Sequence, residues 1–178
     1  VIGFDDRAPT VDEIASMETL VSESLDAGAL GFSTGLFYAP GSYARTDEIV
    51  VLAGVAAKKN KLYSTHMRDE SNYSISLLGS IEESIAIGRL SGVRVQISHL
   101  KCLGPETWGQ AAELLSRIEN ARNESIDVAG DQYPYTAAQT SITAIVPPWA
   151  QEGGQAELVA RLRDPETRRR IKAEIVYR

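Results

Sequence analysis

Cysteine is nearly absent from this sequence. Cys102 stands alone among 178 residues, which excludes an internal disulfide framework and fits a reducing compartment, so a cytoplasmic location is expected. No apolar run approaches the roughly 20 residues that a membrane-spanning helix needs, so no membrane partner is expected. A formal net charge of -6, with no Lys/Arg stripe and no interleaved aromatics, argues against nucleic acid as a partner. The one dense basic run, Arg168 to Arg170, falls in an expected helix and reads as a solvated face or a partner for a helix C-terminal dipole. The chain opens at Val1 in mid-pattern and without a secretory signal, so further chain is expected upstream.

What is present is ordinary for a globular domain, with 43% hydrophobic and 24% charged residues. Four short apolar segments read as buried strands: 29–33, 61–65, 93–97 and 125–129. Their starts fall about 32 residues apart, and each interval holds a helical pattern. That alternation indicates βαβ units and a parallel sheet.

The helices are better marked. Thr10 and Glu13 form a capping-box signature ahead of Ile14, Met17, Val21 and Leu25, with Gly28 as the expected C-cap. A second helix starts at Thr46 or Asp47 and ends by Lys58, Lys59 and Asn60. The third carries Ile75, Leu78, Ile81 and Ile85 and is expected to close near Gly88. A fourth runs from about Trp108 to Ala121. Further helices are expected over 155–162 and from Pro165, capped by Asp164.

Four evenly spaced βα units suit part of a (β/α)8 TIM-type barrel or an open doubly wound sheet. The steady period, and the lack of a Gly-x-Gly-x-x-Gly after any strand, favour the barrel. A barrel takes about 250 residues, so this chain supplies roughly half of one.

Only two histidines occur, and both fall at the same place in the repeat. His66 ends the second strand and His99 ends the third. Strand C-termini in a barrel face one mouth, so the two imidazoles can share a metal ion. Taken singly, each also reads as a satisfied buried histidine. Two ligands are too few for a catalytic zinc, which usually has three protein ligands and a water. Tyr133 and Tyr135 follow the fourth strand and are either hydrogen-bond donors at the mouth or rim packing around Pro134. Asp131 is either a support for the site or a local cap. Cys102, in a loop beside Gly104 and Pro105, reads as a free, partly buried thiol.

At this point the chain resembles a known family. Gly28-Ala29-Leu30-Gly31-Phe32-Ser33-Thr34-Gly35-Leu36, then Tyr38-Ala39-Pro40-Gly41, look like motifs of the N-acyl-D-amino-acid deacylases (D-aminoacylases) of the amidohydrolase superfamily. So do Thr65-His66-Met67-Arg68-Asp69-Glu70, Ile97-Ser98-His99-Leu100-Lys101 and Asp131-Gln132-Tyr133-Pro134-Tyr135. Pro147-Pro148-Trp149-Ala150, Gly153-Gly154, Asp164-Pro165 and Arg168 complete the likeness, which spans nearly the whole chain in order.

The resemblance implies a metal-dependent barrel that hydrolyses N-acyl-D-amino acids with zinc, the chain being a central part of it. It implies His66 and His99 as zinc ligands, and Lys101 and Tyr133 as groups that hold the substrate. It places a His-x-His pair and a metal-binding Cys before Val1, and a catalytic Asp and a carboxylate-binding Arg after Arg178. No catalytic acid–base residue is therefore expected in this chain, which alone should be inactive. Gln139 stands where relatives often have a small residue, which leaves substrate preference open. Cyclic-amide hydrolases of the same superfamily (dihydroorotase- or hydantoinase-like) carry a carboxylated lysine on the strand that here ends Phe32-Ser33-Thr34-Gly35. That makes them the second choice, beside a non-catalytic half-barrel.

Overall fold

The computed structural model describes residues 1–177. In chain order it contains α1 (Val11–Asp26), β1 (Gly31–Gly35), α2 (Thr46–Lys58), β2 (Leu62–His66), α3 (Leu77–Ser91), β3 (Arg94–Ile97), α4 (Ala111–Asn123), β4 (Val128–Gly130), α5 (Pro148–Gln151), α6 (Gln155–Arg163) and α7 (Pro165–Tyr177). The four strands pair in parallel in the order β1-β2-β3-β4. Along one face α1 packs on α2, α2 on α3 and α3 on α4. A doubly wound sheet reverses strand order and puts helices on both faces. Winding in one direction, with neighbouring crossover helices in contact, is the arrangement of a (β/α)8 barrel, of which four βα units are present.

Local sequence explains the boundaries. The Thr10 hydroxyl accepts from the Glu13 backbone N–H at 3.2 Å while the Glu13 carboxylate accepts from the Thr10 N–H at 2.7 Å, closing the expected capping box. Ala27 is the C-cap of α1, and Gly28 follows it at a φ of 108°. The third helix differs from expectation at both ends. Ser76 is its N-cap, which leaves Ile75 outside, and the helix runs past Gly88 to a left-handed C-cap at Gly92. Gly88 is a packing residue instead. A Cβ there would meet Val95 Cγ2 at 2.8 Å and Ile126 Cγ2 at 3.2 Å, so glycine lets α3 lie close on β3.

Trp108 is exposed, and α4 begins only at Ala111, after a short 3-10 turn over Pro105–Thr107. β4 lies three residues later than expected because Ser125, at a φ of 65°, still belongs to the exit turn of α4, where Ile126 N–H reaches Ala121 O at 3.0 Å. Arg168 to Arg170 lie in the first turns of α7, so they cannot serve a C-terminal dipole. They form an exposed face, with the Arg170 guanidinium over the Trp149 ring at 3.9 Å.

The strands are not buried on both sides, as continuous apolar runs would be. Tyr63, Val95, Ile97 and Val128 join side chains of α2, α3 and α4 in one apolar core. Ser64, His66 and Gln96 alternate with them and stay half-buried. A second, smaller cluster of Ala150, Leu158 and Ile171 holds α5, α6 and α7 together. Tyr43 ties that unit to the barrel portion by donating to Pro148 O at 2.7 Å.

The seam between α3 and β3 makes the first prediction. Gly88→Val in the full-length protein should lower the thermal unfolding midpoint by several degrees, reflecting about 2 kcal/mol of overpacking. An unchanged midpoint would mean that the seam has slack the geometry does not show.

Candidate metal centre at the strand ends

The parallel register puts Gly35 beside His66 and Thr65 beside Ile97. His66 is the last residue of β2, and its carbonyl accepts the Leu36 N–H at 3.1 Å. His99 lies two residues beyond β3, at a φ of 43°. This left-handed conformation costs a non-glycine residue about 1–2 kcal/mol and must be held by its surroundings. Asp131 does so. Its carboxylate accepts the His99 N–H at 2.7 Å and Gln96 Nε2 at 2.7 Å, and its carbonyl accepts the Leu100 N–H at 2.8 Å. The His99 bond, first among its partners, keeps the Asp131 carboxyl below the usual carboxylate range. Of the two roles open to Asp131, the structure therefore shows a cap that also sets the posture of a site residue.

The turn brings the imidazoles together, with His66 Nδ1 at 2.9 Å from His99 Nε2. Glu70, buried and four residues after His66, completes the cluster. Its Oε1 lies 2.9 Å from His99 Nδ1 and accepts from the Lys101 ammonium, and its Oε2 lies 3.9 Å from His66 Nε2. Lys101 Nζ is also 2.9 Å from His99 Nδ1. The ligand atoms that His66, Glu70 and His99 offer all lie within 4.8 Å of one another. At Zn–N distances of 2.0–2.1 Å, two nitrogens on one tetrahedral ion sit about 3.3 Å apart. The observed 2.9 Å thus needs only a slight opening, and two imidazole nitrogens, with Glu70 holding His99 by its other nitrogen, fit a metal such as zinc.

Burial, reinforced by His99 and Lys101, pushes the His66 imidazole down from 6.5 to about 4. It is therefore neutral, with a lone pair available, throughout the neutral range. Phe37 and Tyr38 pack on the same ring, at centroid distances of 5.8 and 4.8 Å.

Arg68, Asp69 and Glu70 each face a different direction. Arg68 forks onto Glu83, with Nε at 3.0 and 3.1 Å from the two carboxylate oxygens, and donates to Ser42 O and Ala44 O. The loop carrying Phe37 and Tyr38 is thereby tied to α3. Asp69 is fully buried and accepts from the Ser71, Ser74 and Ser76 backbone N–H groups at 2.9, 2.6 and 3.1 Å, curling the loop that follows Glu70.

Above the imidazoles lies a cavity of about 300 Å³, into which Lys101, Tyr133 and Gln139 face. Lys101 Nζ stands 5.6 Å from the centre of the Tyr133 ring. Burial, followed by the Glu70 charge, raises the Tyr133 hydroxyl above 10, so it remains a donor at neutral pH. Tyr135 stacks on Tyr133 from the exposed rim. Cys102 is a half-buried free thiol packed against the core and is not among the clustered ligands.

Sequence reading located His66, His99, Lys101 and Tyr133, and the structure brings all four to one cavity. It missed Glu70 and Tyr38 as members of the site. Glu70 sits in the right motif, but outside regular structure no periodicity points to its direction.

No protein-family model matches the chain. It is 36% identical over 170 residues to the N-acyl-D-glutamate deacylase of Alcaligenes xylosoxydans xylosoxydans, which covers 96% of this chain and 34% of that protein. The chain thus spans about a third of the length of the curated relatives it matches. Its fold is similar to that of the N-acyl-D-glutamate deacylase of Bordetella bronchiseptica, solved with zinc and a phosphonate that mimics the reaction's tetrahedral intermediate. There the TM-score is 0.69 at 41% identity, over 74% of this chain and 27% of that one. A D-aminoacylase described as defining a novel subset of amidohydrolases gives 0.70 at 41% identity, over 75% and 27%.

A singly wound parallel sheet with metal-compatible side chains beyond its strand ends is the arrangement of part of a (β/α)8 barrel with a candidate metal site at its mouth. Over nearly all of its length the chain is similar to a part of the N-acyl-D-amino-acid deacylases.

Two predictions arise from the site. Asp131→Ala in the full-length protein, which leaves His66, Glu70 and His99 in place, should weaken zinc binding by about 10–100-fold in equilibrium dialysis. Unaltered affinity would show that His99 keeps its posture unaided. In metal-depleted protein the depressed His66 pKa makes the unfolded state the better proton binder between its unfolded value near 6.5 and about 4. The contribution is fully present above pH 6.5 and is lost as the pH falls toward 4. Chemical denaturation of wild type and His66→Gln across that window should show the wild-type slope flattened in the variant.

Proposed function

We propose that residues 1–178 form the central part of the catalytic barrel of a zinc-dependent enzyme that hydrolyses the amide bond of N-acyl-D-amino acids, releasing a carboxylate and a free D-amino acid. The observation that carries this reading is the approach of His66 Nδ1 to His99 Nε2, at adjacent strand ends beside the buried Glu70. On this reading His66 and His99 hold the metal through these two nitrogens. Glu70 accepts from His99 Nδ1, which fixes that ring's tautomer and leaves Nε2 for the metal. A zinc ion bound there would polarise the scissile carbonyl and lower the pKa of a water molecule.

The chain's own residues do the rest of what is assigned here. Lys101 and Tyr133 face the cavity with an ammonium and a protonated hydroxyl, donors suited to the substrate carboxylate or the developing oxyanion. Phe37 and Tyr38 cover one side of the His66 ring and keep water from it. No acid–base residue is assigned among these side chains, and proton transfer to the leaving amine belongs to the whole enzyme.

A cyclic-amide hydrolase is disfavoured because β1, which ends at Gly35, offers no lysine for carboxylation, and Lys101 is the one lysine among the described cavity residues. We place the enzyme in the cytoplasm on the strength of its single cysteine. Among the described residues no helix is long and apolar enough to cross a membrane.

The full-length protein, loaded with zinc, should release free D-amino acids from N-acetyl-D-amino acids and leave the L-enantiomers and hydantoins intact. A chelator should abolish the activity and added zinc restore it. His66→Ala and His99→Ala should each lower kcat/KM by at least about 1,000-fold, equivalent to about 4 kcal/mol. Stoichiometric zinc with hydrolysis only of cyclic amides would replace this reading by the second one.

A further inference from the structure

His66 and Arg68 leave the end of β2 two residues apart and take hold of one loop at two places. At the first, the His66 carbonyl accepts the Leu36 N–H at 3.1 Å, and the Phe37 and Tyr38 rings lie on the imidazole. At the second, Arg68 Nη1 donates to Ser42 O at 3.0 Å and Nη2 to Ala44 O at 2.8 Å. Between the two places the loop is tightly wound, with Ser42 N–H donating to Tyr38 O at 2.8 Å. A Cβ on Gly41 would stand 2.5 Å from Gly35 O, so the loop lies close on the end of β1. An unbroken line of contacts thus runs from the Arg68 guanidinium through Ser42 and Tyr38 to the His66 ring.

The guanidinium is itself fixed. Its Nε lies 3.1 and 3.0 Å from the two Glu83 oxygens, and Nη2 donates to Glu83 Oε1 at 2.9 Å. Thr46, the first residue of α2, donates to the same oxygen at 2.7 Å. A lysine ammonium could keep the ion pair, but as a point charge it could not also serve both loop carbonyls in this planar fork. The two imidazoles are held in different ways. Glu70 fixes His99 through its second nitrogen, at 2.9 Å. The second nitrogen of His66, Nε2, stands 3.9 Å from Glu70 Oε2, beyond hydrogen-bond reach. Among the described residues, the rings packed on His66 are those of His99 and of the loop that Arg68 holds.

We infer that Arg68, paired with Glu83, is a positioning residue of the metal centre. It anchors the loop that lays Tyr38 on His66, and so sets that imidazole for the ion from outside the cavity, whose lining does not include it. The inference rests on the deacylase reading, in which His66 is a zinc ligand. A ligand held in place before the ion arrives binds it more tightly, because less ordering remains to be done.

The experiment compares full-length wild type, Arg68→Lys, Tyr38→Leu and the double variant. Equilibrium dialysis should show zinc binding weakened about tenfold in each single variant. The double variant should lose no more than about tenfold, since both changes act through one ring. With cobalt in place of zinc, the visible absorption of Arg68→Lys should differ from that of wild type, because the bands report ligand geometry. If Arg68 serves the stability of the fold alone, its variant melts lower but keeps wild-type zinc affinity and an unchanged cobalt spectrum. That result overturns the inference and leaves the deacylase reading standing. Losses that multiply in the double variant overturn it too, since they show two independent routes to the ion. Should Arg68→Lys fail to fold, Glu83→Gln replaces it with the same expected loss, and wild-type zinc affinity in Tyr38→Leu remains enough to sink the idea. Wild-type protein that binds no zinc overturns the deacylase reading together with the inference.

Discussion

The parallel register that sets Thr65 opposite Ile97 decides where both imidazoles stand. Side chains alternate along a strand, so a slip of one residue would turn His66 from the cavity side to the helix-packed side. What pins the register is the apolar face. Tyr63, Val95 and Ile97 are almost wholly buried against α2 and α3, and moving any of them out would expose a large side chain. The chemistry on one side of the sheet is thus held in place by packing on the other.

Around that frame the charged run after β2 is divided by direction. Arg68 reaches back to Glu83 and two loop carbonyls, Asp69 turns inward to gather three backbone donors, and Glu70 faces the imidazoles. Arg68 and Glu83 are both mostly buried, and a buried pair of this kind is retained more for the geometry it enforces than for net stability. Here that geometry is the placement of Phe37 and Tyr38 against His66.

Much of this was legible in the sequence because it depends on local rules. The capping box at Thr10 and Glu13, the start of α2 and the 32-residue rhythm all act within a few residues or through one repeated pattern. Both histidines could be found because strand ends in a barrel converge. The misplacements share another cause. Gly88 looks like a stop signal but is a contact point, and only the approach of Val95 and Ile126 reveals it. Ser125 looks like the start of a strand, yet the exit turn of α4 claims it. Glu70 became visible as a site residue only when the fold carried His99 and Lys101 to it across about thirty positions of sequence.

The strand ends are finished by their neighbours. Leu36 N–H binds His66 O, Ser98 N–H binds Thr65 O, and Asp131 N–H binds Ile97 O, so each turn is closed by a partner from the adjacent βα unit. His99 carries this furthest, since its backbone twist is supplied by a carboxylate one unit downstream. The loops at this rim are therefore not interchangeable cassettes. Grafting the His99 turn onto another barrel would transfer the ligand without its posture unless Asp131 travelled with it, and the smallest portable version of this turn is a pair of consecutive units.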